Sequence, residues 1–155
     1  MVIANDCWDQ GTKESMKVVL FSMILCLLNL SAFATNKATN ILDEELQPCG
    51  MNPMTGFFRD GYCNTNKKDQ GTHVACAVVT EEFLVFTQSK GNDLSSPRPE
   101  YRFPGFKAGD GWCLCALRWK KAYNAGVAPP LKLEASHQKF LEFVTKEQVE
   151  PFRVK

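Results

Sequence analysis

Cys113 and Cys115 stand two residues apart in Trp112-Cys-Leu-Cys-Ala-Leu-Arg-Trp119. Read as a strand, this spacing turns both side chains to one face of a sheet, with β-carbons about 7 Å apart against the ~3.8 Å of a disulfide. They are therefore not expected to bond to each other. Three chemistries remain open for them. Each can pair with a different cysteine, or both can ligate one soft metal with help from Cys49 or Cys63. They can also act as small apolar filler, since free cysteine is among the most buried residue types. The chain lacks the paired C-x-x-C knuckles of a zinc ribbon, so spacing alone makes a weak metal signal.

A thiol nucleophile is the second possibility. Cys76, Cys113 and Cys115 are the candidate nucleophiles, and His73 and His137 the candidate bases. His73 lies three residues before Cys76, and on a strand an odd separation places them on opposite faces. His137 reads as the start of a helix, where the dipole disfavours a charged ring and leaves a neutral imidazole able to act as a base.

Polar side chains crowd the segment Gly91 to Tyr101, GNDLSSPRPEY. Asn92, Asp93, Arg98 and Glu100 are stiffened by Pro97 and Pro99, which suits presentation of polar groups to a ligand. The structural alternative is that Asn92, Asp93 and Ser95 satisfy backbone groups after a helix end while Arg98 is solvated or pairs with Glu100. Arg59 and Arg118 pose the same question, because a buried arginine on a strand must find a partner.

These groups need elements to hold them. His73–Val79, HVACAVV, is a short apolar, β-branched run and reads as a buried strand. Thr80 can cap a following helix with Glu81 and Glu82 in its first turn, an apolar face of Phe83, Leu84 and Phe86, and Gly91 at its end. Trp112–Trp119 reads as a second strand, Lys120–Ala125 as one or two helical turns closed by Gly126, and Leu131–Ala135 as a third strand. Ser136 can cap a helix running to Val144, and Thr145 with Gln148 forms a capping box. Leu46–Asn66 reads as a turn or hairpin anchored by Phe57 and Phe58, and Asn92–Gly111 as a long ordered loop. The fold class expected is α+β, a small two-layer α/β sandwich with long ordered loops.

Upstream, Met16–Ala34 reads MKVVLFSMILCLLNLSAFA: one lysine, an apolar run, then Ala-Phe-Ala before a polar Thr35. That is the pattern of a secretory signal peptide cleaved after Ala34, on a run shorter than the roughly 20 residues of a bilayer span. Residues 1–15 are acidic and polar, so Met16 is the expected start. Lipidation at Cys26 is not expected, because Leu25 occupies the place of the required small residue. Residues 35–40 read as a polar spacer and 41–155 as a single globular domain. The protein is then secreted or periplasmic if the leader is used, and cytoplasmic if it is not. Of seven cysteines in 155 residues, Cys7 and Cys26 leave with the leader. Cys49, Cys63, Cys76, Cys113 and Cys115 enter an oxidising compartment, with their pairing open. The net charge of +1 supplies no long-range field, so no nucleic-acid partner is expected. Membrane contact is expected only through the leader.

Several strings resemble a known family: Leu46-Gln-Pro-Cys-Gly50, MTGFFRDG at Met54–Gly61, Cys63-Asn-Thr65, GNDLSSPRPE at Gly91–Glu100, FPG at Phe103–Gly105, WCLCALRW and AGVAPP. Their order over Ile41–Phe152 is similar to the uncharacterised bacterial family called domain of unknown function 2237. The resemblance implies a small two-layer α/β domain with no assigned activity and, in other members, no leader. The family pattern carries a cysteine doublet where this chain has Tyr62-Cys63.

Three functional classes follow. The leading one is an exported small protein whose polar loop and cysteine-bearing strand line a cleft for a small molecule or a metal, with Cys113, Cys115, Arg98 and Asp93 converging. The second is a thiol-dependent hydrolase or redox enzyme, and the third a structural or interaction module. The cofactor is left unknown.

Overall fold

A computed structural model describes residues 38–101 and 103–155. The leader expected over residues 16–34 lies outside them. At the centre, strand β1 (Ala75–Val78) pairs antiparallel with β2 (Gly111–Leu114), setting Cys76 opposite Cys113 and Ala77 opposite Trp112. Helix α1 (Glu81–Ser89) follows β1, α2 (Ala116–Asn124) follows β2, and the short α3 (Lys146–Val149) precedes the C-terminus. This is a mixed α+β fold, as expected. No helix among the described residues is long and apolar enough to cross a membrane.

The two faces of the sheet do different work because side chains alternate along a strand. Ala75, Ala77 and Leu114 belong to the main core with Phe83, Trp119, Leu131 and Phe140, all buried. Cys76 and Cys113 belong instead to a separate buried cluster with Cys49, Cys63 and Ala135. Helices cover one face, and the loop bearing Cys49 and Cys63 covers the other. Gly50 and Gly111 permit that cover: a Cβ on Gly50 would come within 2.9 Å of the Gly111 carbonyl oxygen.

Local signals fare well where caps are strong. Thr80 accepts from the Phe83 N–H at the start of α1, and Thr145 with Gln148 forms a complete capping box on α3.

Four expectations are corrected. Trp112–Trp119 is not one strand, because β2 ends at Leu114 and α2 begins at Ala116 with Cys115 as its N-cap. Ala116, Trp119 and Ala122 are its buried residues, a helical spacing that outweighs the strand-like start of the segment. The third strand reduces to a short antiparallel pairing, in which Val78 donates to Pro130 and Lys132 to Cys76. Leu133–Ala135 then turns into a 3₁₀ helix. The helix expected over 136–144 is a 3₁₀ segment, Gln138–Glu142, capped by His137. Ser136 is not its cap: it is buried, receives the Cys76 N–H at 3.0 Å and donates to the Lys132 carbonyl at 2.9 Å. Finally, Phe57 and Phe58 do not anchor their turn from inside but stand exposed, edge to face at 5.0 Å. Asn40 is buried and bonded through its side chain to the Glu45 and Glu134 carbonyls.

Candidate functional site

All four cysteines of the second cluster are oxidised. Cys49 bonds to Cys76 and Cys63 to Cys113, with Cα separations of 5.6 and 5.3 Å. Cys115 is the one free thiol among the described residues and is half-buried. Cys113 is bonded to Cys63 rather than to Cys115, and the two do not share a sheet face, since Cys115 has left the strand to cap α2. In this state Cys49, Cys63, Cys76 and Cys113 offer neither a nucleophilic thiolate nor a metal ligand. Disulfides persist in oxidising, extracellular-type surroundings, and two of them point to such an environment.

Three adjoining hollows meet at Trp112. The first, about 330 Å³, is lined by Arg59, His73, Asp93, Arg98, Trp112 and Cys113 among others. The second, about 290 Å³, is lined by His73, Asn92, Trp112, Cys115 and Arg118 among others. The third, about 400 Å³, holds Arg59, Glu100, Phe103 and Trp112. The structure thus brings Asp93, Arg98 and Cys113 to one cavity and places Cys115 in its neighbour. His137 lies elsewhere, in a hollow with Asp60, Tyr62 and Thr65. Its Nδ1 accepts the Lys139 N–H at 3.0 Å, and burial, with the Lys139 charge adding to it, holds the imidazole below its ordinary pKa.

His73 is held more elaborately than its sequence suggests. Its Nδ1 lies 2.6 Å from Asp69 Oδ1, while Asp69 Oδ2 accepts the His73 N–H at 2.8 Å and the Thr65 hydroxyl at 2.9 Å. The Asp69 side chain is fully buried and that of His73 is 38% exposed. An ionised carboxylate only accepts, so Nδ1 carries the proton and Nε2 is the nitrogen left for the cleft. The turn is shaped for this contact. A Cβ on Gly71 would overlap the imidazole, and Thr72, a β-branched residue, adopts a left-handed φ of 48°. Strain of that kind costs on the order of 1–3 kcal/mol and clusters at functional sites. Sequence reading missed Asp69, although its place four residues before a histidine in a Gly-containing turn was visible.

Burial works to raise the Asp69 pKa, but the hydrogen bonds from His73 and Thr65, with the His73 charge, outweigh it and hold the carboxyl below its usual range. Between that lowered value and the ordinary Asp value of about 3.9, the unfolded chain binds more protons than the folded one. Stability from this pair is therefore complete above about pH 5 and lost as pH falls below 4. Asp69→Asn should cost about 2 kcal/mol at neutral pH, the scale of charge-assisted hydrogen bonds, with the gap to the native protein closing in acid. Urea midpoints from pH 3 to 7 check this, and a gap independent of pH would count against the assignment.

Arginines furnish the positive side of the cleft. The Arg59 guanidinium carbon sits 4.9 Å from the centroid of the Trp112 ring, in cation–π range, and Arg59 itself has a left-handed φ of 56°. Among the described residues, Arg59, Arg98 and Arg118 form no salt bridge. Asp93 is occupied locally: the Ser96 hydroxyl and the Ser96 and Ser95 N–H groups, with a smaller effect of Arg98, hold its carboxyl below the usual range. These bonds tie the loop to itself at Ser95 and Ser96. Arg118 lies on α2, half-buried, rather than on a strand. Chemically, the cleft can accept a negative group between arginines, beside the aromatic rings of Trp112 and Phe103. Among the described residues no cysteine sulfur hydrogen-bonds to either histidine.

No curated protein matches the sequence. The family model described as "Uncharacterized protein conserved in bacteria (DUF2237)" matches residues 39–153, which take in both disulfides and every residue of the cleft, and the chain belongs to that family.

Proposed function

We propose that the protein binds a small anionic molecule carrying a flat apolar or aromatic part, in the cleft around Trp112. The observation that carries this reading is the convergence of Arg59, Arg98 and the Asp69-oriented His73 on one cavity with an aromatic wall. Among the described residues Arg59 and Arg98 form no salt bridge, and a guanidinium matches the bidentate geometry of a carboxylate or phosphate. The cavity volume stands at the lower end of the ~300–1,000 Å³ of small-molecule sites. Arg59 also holds a backbone conformation that glycine would occupy without cost, and an observed strain of this kind supports a role for the side chain.

The same reading places the protein outside the cytoplasm, in the periplasm or secreted. The signal-peptide pattern ending at Ala34 supports it, as do two disulfides that reducing compartments disfavour.

Calorimetric titration with phenyl phosphate and benzoate, with phenol as the neutral control, tests the binding site. The anions should bind measurably and phenol should not. Arg98→Ala should weaken binding about 10- to 100-fold, the equivalent of a charged hydrogen bond of roughly 1.5–3 kcal/mol. Arg59→Gly should weaken it similarly while leaving the unfolding midpoint equal or higher, because glycine relieves the left-handed backbone. Equal affinity for phenol, or anion binding untouched in both variants, would defeat the proposal.

A further inference from the structure

We propose that Cys49, Cys63, Cys76 and Cys113 constitute, once their two disulfides are reduced, a closed four-thiolate site for a soft divalent cation of the zinc type. The sulfurs of Cys49, Cys63 and Cys76 lie within 4.8 Å of one another, and Cys113 is bonded to Cys63. A tetrahedral ion with metal–sulfur bonds of about 2.3 Å needs sulfurs about 3.8 Å apart, so three sulfurs already lie near that spacing and the fourth, Cys113, must close on them when its bond to Cys63 opens. Each of the four residues is at most 2% exposed, which suits a structural site sealed from water.

The backbone that carries these ligands is held by bonds independent of the disulfides. Cys49 donates its N–H to the Gly61 carbonyl at 2.8 Å, Cys76 to Ser136 Oγ at 3.0 Å, and Cys113 to Thr55 Oγ1 at 2.8 Å. Because Cys76 and Cys113 send their N–H groups away from each other, they form a non-hydrogen-bonded antiparallel pair, the arrangement that brings opposed side chains closest. Four thiolates around a divalent ion leave a net negative charge, and Lys132 stands beside it, its Nζ 3.2 Å from the Cys49 carbonyl oxygen.

The chemistry balances simply. Each disulfide takes two electrons and two protons from a dithiol reductant, which is itself oxidised to a disulfide, and yields two thiols. Binding the cation releases four protons as the four thiols become thiolates. The same cluster is therefore a pair of covalent braces in an oxidising compartment and a metal centre in a reducing one. Among the described residues Cys115 stands outside it as the half-buried fifth cysteine.

The test uses the protein reduced with a phosphine and titrated without oxygen. One equivalent of cobalt(II) should give the intense visible bands of tetrahedral thiolate coordination, and zinc(II) should displace it. Bound zinc should protect four thiols from alkylation and leave Cys115 reactive. Cys76→Ser and Cys113→Ser should each weaken zinc binding at least about 100-fold, beyond the loss of an outer-shell partner, whereas Cys115→Ser should leave it unchanged. If the reduced apo-protein loses its circular-dichroism signal, one equivalent of zinc should restore it. The proposal is overturned by a reduced protein that takes up no tetrahedral cobalt or is not refolded by zinc. It is equally overturned by metal binding that survives Cys76→Ser, that depends on Cys115, or that occurs without reductant.

Discussion

Replacing Cys63 and Cys113 together by alanine should lower the free energy of unfolding by about 4 kcal/mol, because the disulfide closes a loop with a sequence separation of 50. The Cys49–Cys76 bond, with a separation of 27, is worth about 3.5 kcal/mol on the same loop-entropy relation. The two loops interlock, since Cys63 lies between Cys49 and Cys76 and Cys76 lies between Cys63 and Cys113. Removing both should therefore cost less than the sum of the separate losses. Against a typical stability of about 5–15 kcal/mol, either loss is large. The effect reaches the cleft as well, because Gly56, Phe57 and Arg59 lie between Cys49 and Cys63 while Trp112 lies on β2. Phenyl phosphate binding should weaken in the same variant. Denaturant unfolding under non-reducing conditions measures the first effect, with Cys115→Ala as a control expected to change stability by less than about 1 kcal/mol. A loss below about 1 kcal/mol in the double variant would show that the sulfur bridge does not brace this fold.

Trp119→Ala should be comparably severe, near 4 kcal/mol. The indole is fully buried, stacks on Tyr123 at 5.5 Å and meets Phe140 and Phe152 edge to face at 5.4 and 5.3 Å. Its Nε1 donates to the Pro129 carbonyl at 3.0 Å, so truncation both opens a cavity and strands a buried acceptor. Trp119→Phe retains a ring in the cavity and should cost roughly half as much, which separates packing from the hydrogen bond. Chemical denaturation checks both variants. Since Trp119 lines none of the three hollows at Trp112, the folded fraction should bind phenyl phosphate as the native protein does.

Much of the fold was legible from short-range chemistry. The strand at Ala75–Val78, the helix capped by Thr80 and the capping box at Thr145 and Gln148 each depend on neighbours a few residues away. The segment from Trp112 misled for the opposite reason. Trp112, Cys113 and Leu114 favour a strand, the next residues favour a helix, and Cys115 offers no side-chain cap bond to mark the change. Ser136 misled because a good capping residue can serve a distant partner: its hydroxyl is taken by Cys76, sixty residues away.

By itself the sequence determined the α+β class and the polar loop, which follow from local patterning, and its ordered strings carried the resemblance to the family. Only tertiary structure decided which cysteines pair, that Asp69 buries itself beneath His73, and that Arg59, Arg98 and Arg118 gather around Trp112. The reason is physical: each of these depends on contacts between segments tens of residues apart, or on a strained turn held by its surroundings, and neither leaves a periodic trace in the chain.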